Sequence, residues 1–367
     1  MSDTPSIKSD QLFPRLSSLP GLDAPDPIAF SLQCGLMVTG AVNTAVKLGL
    51  ADCLDEGPKT IEELARETES HAPSLYLLLR ALAGINIFEE VDEQTHTFAN
   101  TASSRLLRNS EMADLVRLWG AGYQWDAWKN LSYTIQTGRP ALETIYGKGT
   151  NIWTYLTTIS PQEGETFQRG LTVVSNLLIP AILATYNFSD LTHIVDVGGG
   201  HGNLCVSLLK AYPELTATLF DRPSIIEQVQ KKPIRDEEIA SRYSQVAGDF
   251  FESVPAGGDC YILKNVMMDW PDQEYLRILE CCRQAMDEGT GRVLVIEPVI
   301  SQETPFTKFF SLQMAMMMKA ARHRTLEEHR SLFAAAGFHL TRANPLGLEQ
   351  MLLEGRPSKP YREELAR

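Results

Sequence analysis

The segment VDVGGGHGNL, residues 195–204, constrains the fold more than any other. An apolar run that reads as a strand stops at a cluster of glycines, and amphipathic residues resume at once as a helix. Glycines at such a turn let a ligand approach backbone amides that a side chain would block. The next strand-like run, TATLFD, ends in Asp221, 23 residues after Gly198, where a carboxylate can accept hydrogen bonds from ribose hydroxyls. SQVAGD, CYILKNV and RVLVIEPV follow, with helices such as QEYLRILECCRQAM between the main runs. The alternation predicts an α/β domain with a mainly parallel sheet, and FHLTRA and EQMLLE read as its last strands. NAD enzymes share this glycine-and-acid logic, so the glycines alone do not choose the cofactor.

The chain before about residue 184 follows other rules. Residues 1–27, rich in Pro, Ser and Asp, read as an extended arm. Residues 28–112 carry a helical apolar run broken at Gly57–Pro58, then two helices (KTIEELARETE and SLYLLLRALAGINIFEEV) and a hairpin-like wing, EEVDEQTHTFAN. This winged-helix pattern first brings DNA binding to mind. From Asp55 to Arg108, however, there are five basic and ten acidic residues, and the second helix offers phosphate only Arg80. Leu75, Leu78, Leu79 and Leu82 therefore read as core and dimer packing. Residues 113–183 are helical and aromatic; Trp125, Trp128, Trp153 and Phe167 suit either a connector or the roof of a substrate pocket.

A chain of 367 residues is comfortable as two domains. Its net charge of −13 argues against nucleic acid and against a polybasic membrane surface. No apolar h-region opens it, and no apolar run reaches the roughly 20 residues that span a bilayer, so a cytoplasmic location is expected. The six cysteines form no CxxC and no Cys/His cluster of zinc spacing, so no metal is expected.

Taken together, VDVGGGHGNL, AYPELTATLFDRPSII, VAGDFF, YILKNVMMDWPDQEYLRIL and GRVLVIEP closely resemble the plant- and fungal-type small-molecule O-methyltransferases that use S-adenosylmethionine. The likeness covers nearly the whole chain, and AVKLGLADCLDEGPKTIEELA is similar to that family's dimerising winged-helix domain. The resemblance implies a class I methyltransferase Rossmann-like domain over residues 184–367, a homodimer and a small-molecule substrate. It implies that Gly198 and Gly200 line the methionyl part of S-adenosylmethionine and that Asp221 binds its ribose. Asp249 would hold the adenine amine, Phe250 would pack on the ring, and Lys264 would reach toward the carboxylate end.

One position departs from the family. Where it has a histidine immediately before Asp-Trp, taking the proton from the substrate hydroxyl, this chain has Met268, followed by Asp269 and Trp270. A thioether cannot take a proton, and a neutral oxygen is a poor nucleophile without a base. A second departure is KAARHRTLEEH, where the family's acidic residue is His323, flanked by Arg322 and Arg324; an orienting carboxylate is retained as Glu297. Of the other histidines, His329 reads as lying further along a helix, away from the substrate. Two readings follow. In one, methyl transfer persists with His323 or Asp269 as base, or with a substrate acidic enough to ionise alone. In the other, the chain is similar to fungal relatives of the leporin-pathway type, which bind the cofactor yet form rings by dehydration and pericyclic steps. There the apolar Met268, the rings of Trp125, Trp128, Phe167 and Trp270, and the donors Arg322, His323 and Arg324 would shape and polarise a polyketide or polyketide-alkaloid. This second reading is the first expectation from Met268. A catalytically dead dimerising partner fits less well with intact cofactor residues.

Overall fold

The computed structural model describes residues 27–108, 111–286, 291–319 and 321–358. The arm expected over residues 1–27 lies outside these except for Pro27, which opens the first helix. The chain forms two compact units: one extends to Gln124 and takes in Gln162–Val173, and the other comprises Trp125–Pro161 and the chain from Val174. Residues 113–183, read as one connector, are thus divided between the two.

In the first unit, helices Ile61–Glu67 and Ala72–Ala83 pack with a three-stranded antiparallel sheet of order β1-β3-β2, where β1 is Lys59–Thr60, β2 Phe88–Asp92 and β3 Thr97–Asn100. The first of these helices starts sharply because Thr60 and Glu63 satisfy each other's amides in a capping box. Leu64, Leu75, Leu79, Leu82, Phe88 and Phe98 are buried in its core, as the helical spacing of the leucines demands. Leu78 is half-buried against them.

The second unit is built on one sheet. Its order is β10-β11-β8-β7-β4-β5-β6, with β4 His193–Val197, β5 Thr216–Asp221, β6 Tyr243–Ala247, β7 Cys260–Lys264, β8 Arg292–Ile300, β10 Phe338–Gly347 and β11 Gln350–Pro357; β9, Arg324–Thr325, pairs with the end of β8. Strands β8-β7-β4-β5-β6 are parallel, and β10 and β11 close one edge as an antiparallel pair. Strands β4, β5, β7 and β8 are buried on both faces, between a core containing Ile194, Leu208 and Ile262 and one containing Val195, Leu263 and Phe333, whereas β6 at the sheet's edge is largely exposed. From β4 the chain steps outward to β5 and β6, then crosses to β7 and β8. Strand order therefore reverses between β4 and β7, and ligands of open α/β sheets bind where the strand ends meet at such a reversal.

Helix Pro161–Thr185 is 25 residues long and, by length and composition, apolar enough to cross a membrane. Its Leu178, Ile179 and Ile182 are buried in the core of the second unit, which accounts for part of that apolarity.

Candidate active site

Strand β7 ends at Lys264, and the chain then breaks direction. Asn265 takes φ 54° and donates its N–H to the Ile296 carbonyl at 2.8 Å. Met267–Asp269 follow as a single 3₁₀ turn. This turn is clamped from beneath. Glu297 of β8 accepts the Met268 N–H at 2.9 Å, and the Arg322 N–H donates to the Met268 carbonyl at 3.1 Å. Arg324 of β9 donates to the carbonyls of Met267 at 3.1 Å and Trp270 at 2.7 Å. Both backbone groups of residue 268 are thus held, which fixes where its side chain and that of Asp269 begin.

Met268 and Asp269 are half-buried. The Asp269 carboxyl has no hydrogen-bond partner among the described residues, and burial pushes it up to about 7. His323 lies on the chain leading into β9, almost fully buried at 1 % exposure. Its Nδ1 is 2.8 Å from Ser311 Oγ, its ring stands 5.0 Å from that of Phe310, and its Nε2 has no partner among the described residues. Burial, then the Arg324 charge, pushes the imidazole down to about 4, so it is neutral at pH 7.

The two arginines are not the substrate donors that the sequence led us to expect. Arg324 is fully buried; besides its two carbonyls it bonds Asp272 Oδ1 at 2.8 Å, and its guanidinium lies 4.7 Å over the Tyr275 ring. Arg322 pairs with Glu328 at 2.6 Å and with Asp272 at 3.2 Å. A guanidinium taken up by carboxylates and carbonyls has little left to polarise a substrate. Both arginines hold the turn.

The glycine turn lies across the strand ends at the sheet's reversal point. Gly198 has φ 69°, and a Cβ there would come within 2.9 Å of Val266. Gly200 has φ 61°, its N–H donates to Asp221 Oδ2 at 2.9 Å, and a Cβ would meet nothing within 4 Å. That open space beside a backbone held by a carboxylate is a cradle only glycine leaves free. The other carboxylate oxygen, Oδ1, accepts the Arg222 N–H at 2.7 Å, so Asp221 is fixed at the end of β5. Asp249, exposed after β6, caps its own turn by accepting the Phe251 N–H at 2.8 Å. Lys264 ends β7, where burial pulls its ammonium down and Asp196 works against that. The residues expected to hold S-adenosylmethionine therefore converge on the ends of β4, β5, β6 and β7, and their chemistry fits the group: open space beside a glycine turn, a carboxylate fixed at the end of β5 and a cation.

Comparison with known proteins agrees. A model of the O-methyltransferase domain matches residues 128–339, and one of the O-methyltransferase dimerisation domain matches residues 30–110. The chain belongs to this O-methyltransferase family. It is 34 % identical to a phenazine O-methyltransferase of Lysobacter antibioticus, over 90 % of this chain and 96 % of the relative. It is 32 % identical to a phenazine-1-carboxylate N-methyltransferase of Pseudomonas aeruginosa, over 85 % and 91 %. Among solved structures, an O-methyltransferase from neocarzinostatin biosynthesis, in complex with S-adenosylmethionine and 2-hydroxy-5-methyl naphthoic acid, matches with a TM-score of 0.74 and 30 % identity, over 89 % and 98 % of the two chains.

In this member of the family the expected pocket aromatics fall on several elements. Trp270 packs with Phe250 and Phe251, its ring 5.9 and 4.7 Å from theirs, so it joins the aromatic cluster after β6. Trp125 and Trp128 lie in helix Gly122–Lys129, the latter 37 % exposed. Trp153 lies under the Arg222 guanidinium at 5.7 Å. Phe167 falls in the other unit. A link from the helical roof to the His323 side is direct: the Ala141 N–H donates to the Met316 carbonyl at 2.8 Å, at the end of helix Pro305–Met317, which carries Ser311.

His329 is what the sequence reading missed. It is fully buried, with Nδ1 2.9 Å from the Tyr275 hydroxyl and Nε2 3.6 Å from Glu297 Oε1. A polar residue on an otherwise apolar face of helix Leu326–Ala335 was the available signal, but spacing alone cannot supply the partner on β8.

Proposed function

We propose that this protein is an S-adenosylmethionine-dependent methyltransferase that acts as a homodimer on an aromatic small molecule of natural-product metabolism, with Asp269 taking the proton from the methyl acceptor. Bound on Gly198, Gly200, Asp221, Asp249, Phe250 and Lys264, the cofactor supplies an electrophilic methyl group. The chain must then place an oxygen or nitrogen in line with it and remove a proton. Asp269 carries the reading: it is the unpartnered carboxyl on the clamped turn, beside the position where the family has histidine, and its value of about 7 suits a base at neutral pH. His323, neutral and bonded to Ser311, suits a hydrogen-bond partner for the substrate better than a base, since an imidazole at about 4 is a weak proton acceptor.

The ring-forming alternative loses support. It needed a positive wall to polarise a carbonyl, and Arg322 and Arg324 are spent on Asp272, Glu328 and the turn. The relatives, too, are methyltransferases. Met268 agrees as well with a nitrogen acceptor, whose lone pair attacks without prior deprotonation.

The test is mass spectrometry on the protein incubated with hydroxylated and nitrogen-containing aromatic acids and methyl-labelled cofactor. A labelled product supports methyl transfer, and its connectivity separates oxygen from nitrogen acceptors. An unlabelled isomer or dehydrated ring formed without consumption of cofactor would overturn it.

A further inference from the structure

Behind the Met267–Asp269 turn a buried acid and a buried imidazole face each other. Glu297 and His329 are both 0 % exposed, and Oε1 and Nε2 face each other at 3.6 Å. Glu297 Oε2 already accepts the Met268 N–H, as a carbonyl oxygen would, while among the described residues neither Oε1 nor Nε2 has a hydrogen-bond partner closer than the 3.6 Å between them. On the far side of the ring, Nδ1 meets the Tyr275 hydroxyl at 2.9 Å. Arg324, whose charge acts on both groups, is already engaged by Asp272 and two carbonyls.

We propose that Glu297 and His329 are a neutral pair with a single proton between them, kept on Oε1 and facing Nε2, and with Nδ1–H directed at Tyr275. The pair positions the turn and leaves Asp269 as its ionisable carboxyl. Two ions at full burial would each lose their hydration, whereas a single proton kept on Oε1 avoids both charges. The surroundings agree. Burial pushes Glu297 up to about 8, against the Arg324 charge and the Met268 and Met267 amides and with help from Asp269. Burial, then Arg324, pushes His329 down to about 3, with Arg322 and His323 acting the same way and Glu328 opposing them. Glu297 and His329 are thus positioning residues that act through the backbone of residue 268. In the family pattern implied by the sequence the carboxylate orients a histidine at 268; with Met268 there, Glu297 has turned to the histidine behind it.

The sign of the pH dependence follows. A carboxyl at about 8 in the fold, against 4.5 ordinarily, contributes stability that is full below 4.5 and is lost progressively as pH rises to 8. Glu297→Gln cannot ionise, so its Tm relative to wild type rises between pH 5 and 8 and then levels. A flat difference across pH 5–9 would overturn the pair, as would a variant that fails to fold because an anion was needed there. Nitrogen-15 NMR of histidine-labelled wild type, assigned with His329→Gln, checks the same point without a Glu297 variant. A neutral Nδ1–H ring that does not titrate between pH 5.5 and 8 is expected, and an imidazolium would refute it. Only the last measurement rests on the methyl-transfer reading: Glu297→Gln removes an alkaline limb near pH 8 from kcat and keeps the acid limb. If no methyl transfer occurs at all, the proposed function fails while the stability and NMR results still judge the pair. If methyl transfer occurs with an unchanged alkaline limb, the pair fails alone.

Discussion

Asp269 and Met268 share one turn, yet their side chains differ in everything that matters to a proton. The sulfur cannot accept it; the carboxyl, unpartnered and held near 7, can. Asp269→Asn should lower kcat roughly 10²–10⁴-fold, the usual range for a general base, and remove the acid limb of the kcat–pH profile near 7. Cofactor affinity measured by calorimetry should stay. An unaltered kcat would take Asp269 out of the mechanism. His323→Gln tests the neighbouring role. A ring at about 4 is neutral throughout the working range, so the profile should keep its shape while KM rises. At Gly200 the φ of 61° makes any side chain strained by about 1–2 kcal/mol, and the space in front of its Cβ is empty. Gly200→Val should therefore still fold but lose detectable cofactor binding in a calorimetric titration.

At the scale of elements, the short strand β9 does more than its two residues suggest. It carries Arg324, whose single guanidinium closes three gaps: the carbonyl of Met267, that of Trp270 and the carboxylate of Asp272 at the start of helix Asp272–Ala285. Thr325 then caps the following helix with Glu328 in a reciprocal box. Arg324→Met would keep much of the volume but take this donor from the Met267 and Trp270 carbonyls and leave Asp272 to Arg322 alone. We expect about 1–3 kcal/mol of lost stability in urea unfolding, the range for leaving a buried acceptor unsatisfied. A loss under 1 kcal/mol would show that the clamp is dispensable.

For the whole molecule, the first unit bears exposed apolar side chains that a core does not explain. Leu36 and Met37 of helix Pro27–Lys47 are 67 % and 61 % exposed, and the dimerisation-domain match spans this helix. Light scattering should give a dimer for the wild type and a monomer for Leu36→Glu combined with Met37→Glu. A monomeric wild type would remove the homodimer from the reading. The second helix of the winged-helix shape presents one basic residue, Arg80, a poor match for phosphate.

Much of this was legible along the chain. The glycine turn, Asp221 and the strand-helix alternation are local patterns, set by backbone freedom and hydrophobic period within a few dozen residues, and the structure realises them at the strand ends of β4 and β5. Met268 before Asp269 and Trp270 was equally plain to read, as was its lack of a proton-accepting group. What only the tertiary structure decided is which charges remain available. Arg324 meets the Met267 carbonyl across 57 residues, and Glu297 meets the Met268 amide across 29. Sequence showed three adjacent basic side chains in Arg322, His323 and Arg324. Packing made two of them braces and the third a neutral ring, while placing His329 behind the turn. Burial sets the charge of an acid or an imidazole, and burial is a property of the assembled layers rather than of the neighbours in the chain.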